Sequence, residues 1–126
     1  MRDAVSSRDA PAAIGPYSQA VRAGGLLFIS GQIPLDPVSG DVVDGDIAAQ
    51  THRVMGSLGA ILEAAGAGFD DVVRTTIFLT DLGDFAHVND VYGSYFTAPA
   101  PTRATVQVAA LPKGVRVEID AIAHLG

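Results

Sequence analysis

Between residues 47 and 65 the apolar side chains Ile47, Val54, Met55, Leu58, Ile61, Leu62 and Ala65, with Thr51 among them, recur every third or fourth position. Only a 3.6-residue period produces such a stripe, so the segment is an amphipathic helix that must bury one face. Asp46 or Asp44 can cap its first amides, and Gly66 stands where a helix stops. What covers that face follows from the flanking runs. Val72 to Leu79 is β-branched and apolar, the composition of a strand. Upstream, two apolar-rich runs from Tyr17 to Ile33 flank Gly24-Gly25, a dipeptide suited to a tight hairpin turn.

A second helix is expected from Leu82-Gly83-Asp84, with Asp84 as its cap and Phe85, Val88, Tyr92, Tyr95 and Phe96 as its apolar side, ended by Pro99 and Pro101. Two more strands follow, Arg103 to Ala110 and Val115 to His124, joined by Leu111 to Gly114. The order β-β-α-β-α-β-β in one short chain predicts an α+β fold, one mixed sheet with both helices packed on one face. The other face then needs cover, which a second copy of the chain would supply. Pro34 to Asp46, with two prolines, two glycines and four aspartates, reads as a mobile or interfacial surface loop.

Composition narrows the function. The chain has 126 residues, enough for a single domain spanning residues 1–126. It is 48% apolar and only 17% charged, with a mean hydropathy of +0.32, the reverse of a disordered chain. With so few charges to coat the surface, some apolar area is expected to meet other subunits. Eight basic residues against fourteen acidic ones, a single lysine (Lys113) and a pI near 4.7 argue against nucleic-acid binding, which draws on clustered Lys and Arg. No cysteine is present, which removes thiol nucleophiles, disulfides and Cys-based zinc sites. No secretory leader or uninterrupted apolar span is seen, so a cytoplasmic protein without membrane contact is expected.

Few residues suggest chemistry by themselves. His52, His87 and His124 have no metal-ligand spacing. Ser30-Gly31-Gln32 lacks the surroundings of a nucleophile elbow and reads as a turn. Gly66-Ala67-Gly68 is followed by Asp70-Asp71, which would repel a phosphate. On the first closing strand Arg103, Thr105, Gln107 and Ala109 alternate with Ala104, Val106, Val108 and Ala110, and the latter set reads as core. Arg103 has the planar fork that grips a carboxylate bidentately. On the last strand, Arg116, Glu118, Asp120, Ile122 and His124 share a side opposite Val115, Val117, Ile119 and Ala121. Spacing alone leaves Arg103 and Glu118 as ordinary surface charges.

Several segments in order nonetheless resemble one family: Ala10 to Gln19, Ile29 to Pro34, Val88-Asn89, Pro101-Thr102-Arg103-Ala104-Thr105-Val106, Leu111-Pro112 and Val117-Glu118-Ile119. Together they are similar to the Rid (YjgF-type) family, RidA branch, over roughly residues 10 to 124. The resemblance implies a chorismate-mutase-like homotrimer with sites between subunits. It implies hydrolysis of reactive enamine and imine intermediates to a 2-keto acid and ammonia, on a small 2-imino or 2-keto acid and with no cofactor. Arg103 would hold the substrate carboxylate and Glu118 the attacking water. Tyr17, Ser30, Gly31, Asn89 and Thr105 would shape the pocket, with Thr105 standing where many relatives carry cysteine. The implied activity is that of a 2-iminobutanoate/2-iminopropanoate deaminase. A non-catalytic trimer that binds a small carboxylate or partner proteins is the alternative, followed by an endoribonuclease.

Overall fold

The computed structural model describes all 126 residues. Six strands, β1 (Arg2–Val5), β2 (Ala20–Ala23), β3 (Leu26–Gln32), β4 (Val72–Leu79), β5 (Thr102–Gln107) and β6 (Val117–His124), form one mixed sheet in the order β1-β2-β3-β6-β4-β5. Helix α1 (Ile47–Ala64) connects β3 to β4, and α2 (Phe85–Gly93) connects β4 to β5. The α+β architecture with two helices is as the sequence predicts.

Helix α1 begins as its sequence requires, with the Asp46 carboxylate accepting from the Ala49 amide at 2.9 Å. Gly66, just past its end, takes a φ of +77°, a left-handed conformation that glycine adopts without steric cost. Val54, Met55, Leu58, Ile61 and Leu62 are fully buried against Leu27, Ile77, Leu79, Val117 and Ile119 of the sheet, at roughly 1.5–3 kcal/mol for each large side chain. At the β2-β3 turn only Gly24 has positive φ (+60°), the pattern of a II′ hairpin.

Five expectations are corrected. Strand β1 was not foreseen: Arg2 to Ala4 are exposed, and the strand is held by backbone pairing to β2 rather than by an apolar side. The last two strands are not neighbours. Strand β6 is inserted between β3 and β4, while β5 lies at the sheet edge, parallel to β4. Asp84 does not cap α2; Asp81 caps the preceding 3-10 turn, and the buried Asp84 carboxylate instead pairs with Arg116, 2.7 Å and 3.2 Å from its Nη2 and Nε. The helix ends at Gly93, so Tyr95 and Phe96 lie beyond it, packed on Phe69.

The fifth correction concerns β5, which ends at Gln107 rather than Ala110. Its register sets Arg103 beside Thr75 and Thr105 beside Ile77, both buried beneath the helices, so Arg103, Thr105 and Gln107 share the helix side. Ala104 and Val106, which alternation assigned to the core, face the uncovered side, where Val106 is 40% exposed. Alternation reports that one side of a strand must leave water; it does not report what covers it. The uncovered face carries Phe28, Phe78, Val106 and Ile122 together with Glu118 and Asp120. No helix of the structure is long and apolar enough to cross a membrane.

Candidate active site

The residues singled out from the sequence fall into two groups. The first surrounds Glu118. Strand β3 has three steps from Ile29 to Gln32 where β6 has two from Ala121 to Ile119, and this extra residue is a β-bulge at Ser30-Gly31. The Ser30 hydroxyl donates to the Ser18 carbonyl at 2.6 Å, and the Ser30 amide to the Gln19 carbonyl at 2.9 Å, fixing the bulge to the preceding loop. Gly31 lies against the Glu118 side chain so closely that a Cβ there would sit 2.8 Å from its Cδ. Tyr17, Ser30, Gly31, Gln32, Pro112 and Glu118 line a cleft of about 400 Å³.

Burial pushes the Glu118 carboxyl above its ordinary range, and the neighbouring Asp120 charge adds to the rise. A carboxyl whose burial favours its neutral form is suited to take up a proton and return it. Gln19, which the sequence reading left without a role, is 5% exposed and organises the rim. Its amide nitrogen donates to the carbonyls of Ser7, Ala10 and Pro11, and its oxygen accepts from the Ser7 amide at 2.7 Å. The loop expected to be mobile or interfacial carries hydrogen bonds that tie it together and to Lys113. The Asp36 carboxylate accepts from the Val38 and Ser39 amides, and Lys113 donates to the Gly40 carbonyl at 3.0 Å.

The second group surrounds Arg103 on the other face of the sheet. Its Nη1 donates to Asn89 Oδ1 at 2.7 Å, and its guanidinium carbon lies 5.1 Å and 5.5 Å from the ring centroids of Tyr92 and Phe85. Thr105, two residues along the same side, has its hydroxyl oxygen buried with no hydrogen-bond partner. Phe85 and Tyr92 were read only as the apolar side of a helix; their spacing from Asn89, on one helical stripe, was the signal that they meet one target.

Within one chain these groups do not meet. Arg103 projects to the helix side from edge strand β5, and Glu118 to the open side from β6, with β4 between them. A larger cavity of about 660 Å³ beneath β1 and the 6–13 segment contains neither residue. Arg103 uses one of its five N–H groups on Asn89, and the other four are enough for a bidentate contact with a carboxylate.

Comparison with known proteins finds relatives that match nearly the whole chain. The family described as Endoribonuclease L-PSP matches residues 7–125. Protein DfrA of Myxococcus xanthus is 64% identical over 124 residues, covering 97% of this chain and 95% of its own. The 2-iminobutanoate/2-iminopropanoate deaminase of Mus musculus is 51% identical over 126 residues, covering all of this chain and 93% of its own. Among solved structures, E. coli TdcF with bound serine superposes with a TM-score of 0.92 at 44% identity, covering 97% and 98% of the two chains. The E. coli YjgF gene product gives 0.91 at 47% identity over the same shares. Matched by that family over residues 7–125, the chain belongs to the Endoribonuclease L-PSP family, the YjgF/Rid proteins.

Proposed function

We propose that this chain is a 2-iminobutanoate/2-iminopropanoate deaminase, acting as a cytoplasmic homotrimer of single-domain subunits with a site in each cleft between them. The observation that carries the reading is the division of the site: a held arginine on one sheet face and a half-buried carboxylate on the other, each in place but unable to meet within one chain. A ring of copies that covers the open apolar face would bring Arg103 of one subunit to the Glu118 cleft of the next. The deaminase relatives of about 50% identity support the reaction.

The chemistry asks little of the protein. The enamine tautomer takes a proton on carbon to give a 2-imino acid, whose C=N carbon is already electrophilic. Arg103 receives the carboxylate and sets that carbon over the cleft. Glu118 accepts one proton from water as its oxygen attacks and passes it to nitrogen; it then takes the hydroxyl proton of the carbinolamine and delivers that to nitrogen as the C–N bond breaks, so that ammonia departs and the C=O of the 2-keto acid forms. One water is consumed and one ammonia released.

The test generates 2-aminoacrylate from serine with a dehydratase and follows loss of the imine. Acceleration over buffer that Arg103→Ala abolishes is the expected result; a folded protein that gives none would overturn the reading. The serine bound to TdcF favours a second reading, a non-catalytic binder of small carboxylates. Calorimetric binding of 2-ketobutyrate without turnover would select it. Endoribonuclease activity, which the family description suggests, is opposed by the net charge of −6 and the single lysine.

A further inference from the structure

An arginine on an edge strand ordinarily has a long, freely rotating side chain, and a bidentate carboxylate contact requires one orientation of its fork. Here that orientation is set from α2. Phe85, Asn89 and Tyr92 are four and three residues apart, so all three project from one stripe of the helix toward Arg103. Both rings lie within the roughly 6 Å at which a cation is attracted to an aromatic face.

The two rings differ in how they are held. Tyr92 is 4% exposed, and its hydroxyl is 2.7 Å from Thr75 Oγ1. Thr75 is the register partner of Arg103 on β4, so one side-chain hydrogen bond ties the ring to the residue beside the arginine. Phe96 packs on the same ring with centroids 4.8 Å apart. Phe85 is 38% exposed, and its ring makes no hydrogen bond.

We infer that Phe85 and Tyr92 are positioning residues that clamp the Arg103 guanidinium between them, with Asn89 fixing its rotation, so that the arginine receives a carboxylate already oriented. The inference rests on the reading of Arg103 as the carboxylate anchor. Phe85 is the ring to test, because its exposure lets it be replaced with little effect on the fold.

Two readouts decide it: calorimetric binding of 2-ketobutyrate, and the NMR resonance of the Arg103 Nε–H, assigned by its disappearance in Arg103→Lys. A proton held over ring faces is shifted upfield. Phe85→Leu, which keeps apolar bulk but loses the ring, is expected to weaken binding on the order of tenfold. It should raise KM more than it lowers kcat and return the resonance toward that of a free arginine, while Phe85→Tyr restores both. Parental binding and an unmoved resonance in Phe85→Leu would overturn the clamp, as would failure of Phe85→Tyr to restore either. Should the parent protein bind no 2-ketobutyrate and hydrolyse no imine, the functional reading falls, and the resonance alone decides whether the clamp exists.

Discussion

Replacing Gly31 with alanine separates the requirements of the site from those of the fold. Gly31 is not among the glycines of positive φ, so alanine suits its backbone and only space is at issue. The added Cβ would fall 2.8 Å from Glu118 Cδ and 3.0 Å from its Cγ, where carbon atoms prefer about 3.5–4.0 Å. Because the three nearest atoms all belong to the flexible Glu118 side chain, the carboxylate should swing aside while the strand stays. Forcing a side chain off its rotamer costs about 0.5–1.5 kcal/mol. In a chain of this length a loss of about 1 kcal/mol lowers Tm by about 3–5 °C. Loss of a positioned general base costs far more in rate, about 10²–10⁴-fold. Gly31→Ala is therefore expected to melt within a few degrees of the parent yet lose most of its imine hydrolysis in the dehydratase-coupled assay. A double-mutant cycle sharpens the argument. In a Glu118→Ala background the close atoms are gone, and Gly31→Ala should cost no stability. Parental kcat in Gly31→Ala, or the same stability loss in both backgrounds, would refute the reasoning.

The raised pKa of Glu118 has a definite sign. Its folded state holds the proton more tightly than the ordinary 4.5, so the associated stability is fully present below that value and is lost as pH rises through the folded pKa. Glu118→Gln, which mimics the neutral carboxyl, should thus be more stable than the parent at pH 7 and no more stable near pH 4 in thermal melts, and its activity should be lost. Arg103→Lys keeps the charge but loses the fork, and KM for the imine should rise about 10- to 100-fold, since a charged hydrogen bond contributes about 1.5–3 kcal/mol. Asp46→Ala removes the α1 cap; urea melts should show about 1 kcal/mol less stability with kcat unchanged.

The local elements were legible because local physics makes them. The stripe from Ile47 to Leu62, the Asp46 cap and the Gly24 turn depend on residues close in sequence, and each stands where its pattern puts it. Long-range pairing was not legible. Nothing in residues 103 to 124 says that β6 slides between β3 and β4 while β5 goes to the edge, and the register of each on β4 puts Arg103 and Glu118 on opposite faces. Asp84 shows the same limit: an aspartate before a helix suits a cap, but Arg116, remote in sequence, offers its carboxylate a charged partner. The bulge at Ser30-Gly31 is likewise visible only through its partner strand, although the glycine itself marked the place.

Mixing inactive subunits tests the divided site most directly. Arg103→Ala and Glu118→Gln, each alone, should hydrolyse almost no imine. When the two are unfolded together and refolded at equal ratio, roughly one quarter of the sites in a closed ring pair an intact arginine with an intact glutamate from the neighbouring copy, so about a quarter of parental activity should return. A mixture no more active than either variant alone, from assemblies shown to contain both, would contradict a site built across two copies of the chain.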